Sequence, residues 1–170
     1  MNLRLTSATL ALLLPASAWP GETLAPTELL DRLTGAWLMT GMIDDQQVVH
    51  DVTAGWVLEG GYLELHDLSR EKDESGRPAY EAIVIIAWEE VNGEYKCLWL
   101  DTTANTGLDN PVIGIARPSG HDIPFVWTGQ ESRFFNTFSY DAKADTWRWV
   151  LNSERDGELA LFADVTLTRK

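Results

Sequence analysis

Only one cysteine occurs in the 170 residues, so no internal disulfide can form and packing has to supply the stability. Basic residues are scarce: 13 Lys and Arg stand against 26 Asp and Glu, a net charge of −13. That balance excludes the positive field that phosphate backbones and anionic lipid surfaces require. Histidine is limited to His50, His66 and His121, with no His-x-His or Cys-x-x-Cys spacing, so no metal site is indicated. Glycine-rich phosphate loops, Gly-x-Ser-x-Gly and His-Glu-x-x-His are also missing, and with them any signature of a cofactor or of a familiar nucleophile. Beyond the N-terminus there is no apolar run long enough to cross a bilayer as a helix. Neither an internal repeat nor a low-complexity tract is present.

What is present in quantity is tryptophan, with eight residues, in a chain that is 45% hydrophobic. Such a composition fits a folded globular protein rather than a disordered one. Tryptophan is broad, flat and amphipathic, and it suits core plugs and pocket walls in β proteins.

The N-terminus reads as an export signal over residues 1–18. Arg4 gives a positive start, Leu5 to Leu14 a short apolar stretch, and Ala16-Ser17-Ala18 a small-x-small cleavage site. Cleavage after Ala18 predicts a soluble protein in a bacterial periplasm or beyond. Residues 19–26 hold Pro20, Gly21 and Pro26 and read as a flexible leader. The folded domain is expected over 27–170.

A single helix signal follows, with Thr27 as N-cap, apolar Leu29, Leu30 and Leu33, and Gly35 as the stop. The period then changes to two. Strands are expected at 36–43, 47–58, 61–69, 79–89, 95–101, 112–117, 122–129, 133–140, 146–153 and 159–169. Turn residues separate them, including Asp44-Asp45, Asn92-Gly93 and Asp156-Gly157. The connections are short, except for a polar, Thr-rich loop over 101–111. Neighbouring strands should therefore pair antiparallel in an up-and-down order.

The fold class expected is all-β: about ten strands closed into a barrel, with one short N-terminal helix. One-sided strands support an apolar inside and a wet outside. Trp147, Trp149 and Leu151 share a face. So do Ile123, Phe125 and Trp127, and so do Leu159, Leu161, Ala163, Val165 and Leu167. Strand 79–89 is apolar on both faces, and either the helix or a second copy in a homodimer is expected to cover its outer side.

Gly35-x-Trp37 opens the first strand after the helix, and Arg169 closes the last one. Together they resemble the lipocalin and fatty-acid-binding (calycin) superfamily, in which such a Trp packs across the closed barrel end against an Arg from the final strand. The chain is most similar to an uncharacterised group of bacterial lipocalin-like domains. That likeness covers roughly residues 28–169 and rests also on Leu58-Glu59-Gly60-Gly61-Tyr62-Leu63 and on Trp99-Leu100-Asp101 before the Thr-rich loop. The resemblance implies a structural, barrel-closing role for Gly35, Trp37 and Arg169, and an interior that holds a small molecule.

The expected function is a binding or carrier barrel for a small apolar or amphipathic ligand. Its inner wall would include Trp37, Trp99, Phe125, Trp127, Phe138, Trp147 and Trp149. Tyr62, Glu64 and His66 share one face of strand 61–69 and form a polar patch for a head group if that face points inward, while Leu63 and Leu65 compete for the same interior. Asp101 either caps its loop or contacts ligand at the mouth. Arg133 is the candidate partner for an anionic head group, because Arg148 faces away from its Trp neighbours. His50 reads as a core or rim residue, His121 as exposed, and Cys97 as a core residue. Two other readings remain open: an acid–base enzyme using His66 with Glu64 or Asp101, and an envelope assembly module using strand 79–89.

Overall fold

The computed structural model describes residues 24–103, 113–129 and 132–170. The signal over 1–18, the leader as far as residue 23 and most of the 101–111 loop lie outside the described residues.

Ten antiparallel strands close into one barrel in the order β1-β10-β9-β8-β7-β6-β5-β4-β3-β2. They are β1 (Gly35–Ile43), β2 (Gln46–Val57), β3 (Tyr62–Ser69), β4 (Glu81–Glu89), β5 (Glu94–Asp101), β6 (Ile113–Ala116), β7 (Asp122–Thr128), β8 (Ser132–Asp141), β9 (Thr146–Arg155) and β10 (Glu158–Arg169). Each strand pairs with its sequence neighbours, and β1 meets β10 through Trp37 opposite Arg169. Turn chemistry fixes the registers. At Asp44-Asp45 and at Asp156-Gly157 both turn residues have positive φ, as a two-residue hairpin matched to strand twist requires.

Helix α1 (Pro26–Leu33) precedes the barrel. Its cap is Ala25, not Thr27 as the sequence suggested. Pro26 takes the first helical position, where its fixed φ helps and its missing N–H costs nothing, and the Glu28 carboxylate accepts from the Ala25 N–H at 3.0 Å. Eight residues are too few for a helix to hold alone. Tertiary contacts hold this one across the barrel end. Leu29, Leu30 and Leu33 are buried. Four ring donors tie it down: Trp37 Nε1 to the Leu33 carbonyl at 2.7 Å, Trp147 Nε1 to the Arg32 carbonyl at 3.3 Å, Tyr95 hydroxyl to the Pro26 carbonyl at 2.9 Å, and Trp56 Nε1 to the Asp31 carboxylate at 2.6 Å. Two of these satisfy carbonyls that a helix C-terminus leaves unpaired.

The helix therefore plugs the barrel floor and does not cover the outer face of strand 79–89. Ile83 and Ile85 sit on that outer face, opposite Leu100 and Leu98 of β5, and are half-buried. No helix among the described residues is long and apolar enough to cross a membrane.

A second departure concerns β10. The ladder with β9 shifts between Leu161 and Ala163. Ala163 pairs with inward-facing Leu151, whereas Leu161 pairs with Asn152 and Leu159 with Glu154, so the bulge turns both leucines outward. They are 65% and 64% exposed, against 2% for Ala163. The single shared face expected for Leu159 to Leu167 is thus broken at Phe162.

Candidate functional site

Alternation sends one residue in two into the barrel, and the inward set changes character along the axis. Next to α1 it is aromatic and closed. Trp37, Tyr95, Phe125, Phe138, Trp147 and Trp149 are all buried. Tyr140 lies 5.1 Å from Trp147, and Phe125 5.5 Å from Phe138, between ring centroids. Phe138 stacks on Trp149 at 4.4 Å and 16°. Rings packed at these spacings close the end of the barrel next to α1. The floor is therefore a plug, and Trp147 belongs to it.

Toward the other end the inward groups open up. Trp99 and Trp127 are half-buried, and Phe134, on β8 opposite Trp127, is 46% exposed. Trp127 leans on the backbone of Gly114, where any Cβ would run into its indole ring. Trp99 Nε1 donates to the Tyr80 hydroxyl at 3.1 Å. Burial, followed by the negative charge of Asp101, pushes the Tyr80 hydroxyl far above its ordinary pKa, so it stays protonated. Asp101 accepts from the Thr103 N–H at 2.8 Å and the Thr103 hydroxyl at 2.6 Å. That is the loop-capping geometry, formed at the rim of the mouth.

Two buried polar groups were not legible as a site from the sequence. His50 on β2 places Nδ1 2.8 Å from Asp67 Oδ1 on β3, and the two residues are each 3% exposed. The carboxylate orients the ring, as in an acid–base pair. No described hydroxyl or thiol is hydrogen-bonded to His50, so a nucleophile–base relay is not assembled. Asn136 on β8 is the other. It is 2% exposed, faces inward between Phe125 of β7 and Leu151 of β9, and neither of its side-chain polar atoms finds a partner within the protein. Trp149 Nε1, on the adjacent strand, is buried and unpartnered as well. Both positions were readable as inward, because Asn136 alternates with Phe138 and Tyr140.

Most of the remaining candidates lie outside the barrel. Leu63 and Leu65 are fully buried, so Tyr62, Glu64 and His66 occupy the outer face of β3. The two leucines take the interior because burying them releases more apolar surface than burying Glu and His would. His66 Nε2 is 2.7 Å from the Glu81 carboxylate, with both side chains well exposed. With Thr53 and Val57, Glu64 and His66 line an open depression of about 260 Å³ beside Gly55, on the wet side of the sheet. Arg133 donates to both oxygens of Glu154 at 2.8 and 2.7 Å and stands over Phe135, again outside. Arg148 pairs with Asp164 in the same manner. His121, half-buried, has its ring 6.1 Å from that of Tyr140. Cys97 is buried in the core, and burial raises its thiol pKa strongly, which keeps it unreactive. Among the described residues no group of three or more His, Cys, Asp or Glu is arranged to hold a metal ion.

Compared with known proteins, the chain matches no family model and no curated protein.

Proposed function

We propose that this chain is an exported binding barrel of lipocalin-like type that carries a small apolar or amphipathic molecule in the mouth-side part of its interior. One observation carries the reading: the inward faces of β5, β7 and β8 present Trp99, Trp127 and Phe134 partly exposed above a floor of buried rings. Large aromatic groups left half-open inside a barrel are the apolar wall that a small ligand needs. The opposite end is closed by α1, Trp37 and Arg169, so the mouth is the side from which a ligand would arrive. The stacking of Arg169 on Trp37 supports the calycin likeness, and the Arg4 to Ala18 segment supports export.

An acid–base enzyme is less well supported. It would use His66 with Glu64 or Asp101, but His66 and Glu64 are on the outer face, where His66 is bonded to Glu81, and the buried pair His50–Asp67 has no described nucleophile bonded to it.

Native mass spectrometry of protein purified from its own host, followed by titration of the emptied protein with an apolar dye, tests the carrier reading. A co-purified small molecule, or saturable dye binding with a change in Trp emission, is expected. Protein that carries no extra mass and leaves every apolar dye unbound would rule the carrier out.

A further inference from the structure

We propose that the carried molecule is uncharged and puts a carbonyl-type hydrogen-bond acceptor at its buried end, held by the Asn136 amide and the Trp149 indole N–H. The inference deepens the carrier reading and rests on it.

Asn136 and Trp149 occupy neighbouring strands, with Asn136 opposite Leu151 and Trp149 opposite Phe138. Both point into the barrel and are 2% exposed, and Asn136 Nδ2, Asn136 Oδ1 and Trp149 Nε1 all lack a partner within the protein. Buried polar atoms are almost always hydrogen-bonded, because an unmet one forfeits its hydration without return. Three such atoms at diagonal positions on adjacent strands, in an otherwise apolar stretch of wall, mark a place where a polar atom from elsewhere belongs. The patch lies where the packed floor gives way to the open mouth: along β8, Asn136 stands between Phe138 on the floor side and Phe134 on the mouth side. Stacking on Phe138 fixes the Trp149 ring, so its N–H direction is set before any ligand arrives.

The donors available decide the class. A carboxylate buried here would need a cation beside it, and the one free cation on the described inward alternation, Arg155, is exposed at the rim, four residues along β9 from the Leu151 that faces Asn136. Arg133 and Arg148 are engaged outside by Glu154 and Asp164, and Arg169 is engaged at the floor. The other inward charged residues are acidic: Asp101 near the mouth, and Asp67, which is paired with His50 on the far side of the barrel. An anion buried with no opposite charge facing it is strongly disfavoured. Two N–H donors with no positive charge match an ester, amide or ketone oxygen.

The test is isothermal titration calorimetry of the purified, ligand-free protein with methyl octanoate, the octanoate anion and octane. The ester is expected to bind at least about tenfold more tightly than the anion. Asn136→Leu should weaken the ester about tenfold and leave octane unchanged. Because Leu removes a buried unmet polar group, this variant should fold. Trp149→Phe keeps the stacked ring, removes the N–H and should weaken the ester in the same selective way. The proposal is overturned if octanoate binds as tightly as the ester, or if both variants hold the ester unchanged; octane and dye binding would then still stand for the carrier. If the native protein binds neither the three probes nor an apolar dye, both readings fall together.

Discussion

Arg169 places its guanidinium carbon 4.1 Å from the ring centre of Trp37, across the ladder that joins the last strand to the first. The same guanidinium donates to the Thr34 carbonyl at 2.7 Å, the Arg32 carbonyl at 3.0 Å and the Asp145 carboxylate at 2.6 Å. One side chain therefore links both chain-distant strands, the helix C-terminus and the β8–β9 turn. Gly35 belongs to this arrangement, since a Cβ there would press on Arg169 Nη1, and its φ of +118° suits glycine alone.

Replacing Arg169 by Ala removes the planar cation over the indole, frees the Thr34 carbonyl at the helix C-cap and leaves the Arg32 carbonyl with Trp147 alone. The expected loss is about 2 kcal/mol or more, read from urea unfolding. Lys should recover only part of it, because an ammonium cannot stack and fork at once. An Ala variant as stable as the native protein would mean that barrel closure does not depend on this contact.

The bulge at Phe162 predicts which leucines tolerate charge. Leu161→Lys lies on the outer face and should change stability by less than about 0.5 kcal/mol. Val165→Lys, three ladder pairs further along and 2% exposed, should leave the chain unfolded or severely destabilised. Similar thermal midpoints for the two variants would contradict the assigned faces.

The strands were legible because alternation and turn chemistry are local. Asp156-Gly157 and Asp44-Asp45 announce two-residue hairpins from the residues themselves. The bulge was not, since Phe162 carries no glycine or other local mark and the apolar pattern runs through it unbroken. The inward face of β3 was ambiguous because Tyr62 competes with Leu63 for burial, and only the closed sheet decides it. His50 and Asp67 lie 17 residues apart, and their pairing depends on the β2–β3 register, which no spacing rule supplies. Asn136 was visible as a polar residue on an aromatic face, but its lack of a partner is a property of the assembled interior.

Acid should destabilise the fold. Hydrogen bonds from Arg70 and Lys170 hold the Asp51 carboxyl well below its usual range, and those from Ser75 and Arg77 hold Asp73 at about 2. Lys96 lowers Glu94, Arg169 lowers Asp145, and Arg148 lowers Asp164. A carboxyl depressed in the folded state stabilises fully above its unfolded pKa and loses that contribution as pH falls through the folded value. The urea midpoint should therefore drop steadily below about pH 4. Added salt should flatten the drop, because these pairs are exposed. A midpoint that rises on acidification would refute the assignment.

The seam between β6 and β7 is the narrowest in the described barrel, with Ile115 opposite Val126 as its ladder pair. Trp127 crosses it from inside and rests on Gly114, whose missing Cβ makes the approach possible. Gly114→Ala must then push the indole off the seam or spread the strands. Overpacking of this kind costs about 1–3 kcal/mol. Because Trp127 is also one of the three aromatic members of the proposed ligand wall, the same methyl should weaken apolar dye binding and shift Trp emission. A variant with native stability, native emission and native dye affinity would show that Trp127 does not lie on Gly114. Loss of stability with dye affinity intact would instead separate the seam from the wall and leave Trp99 and Phe134 as the ligand's aromatic contacts.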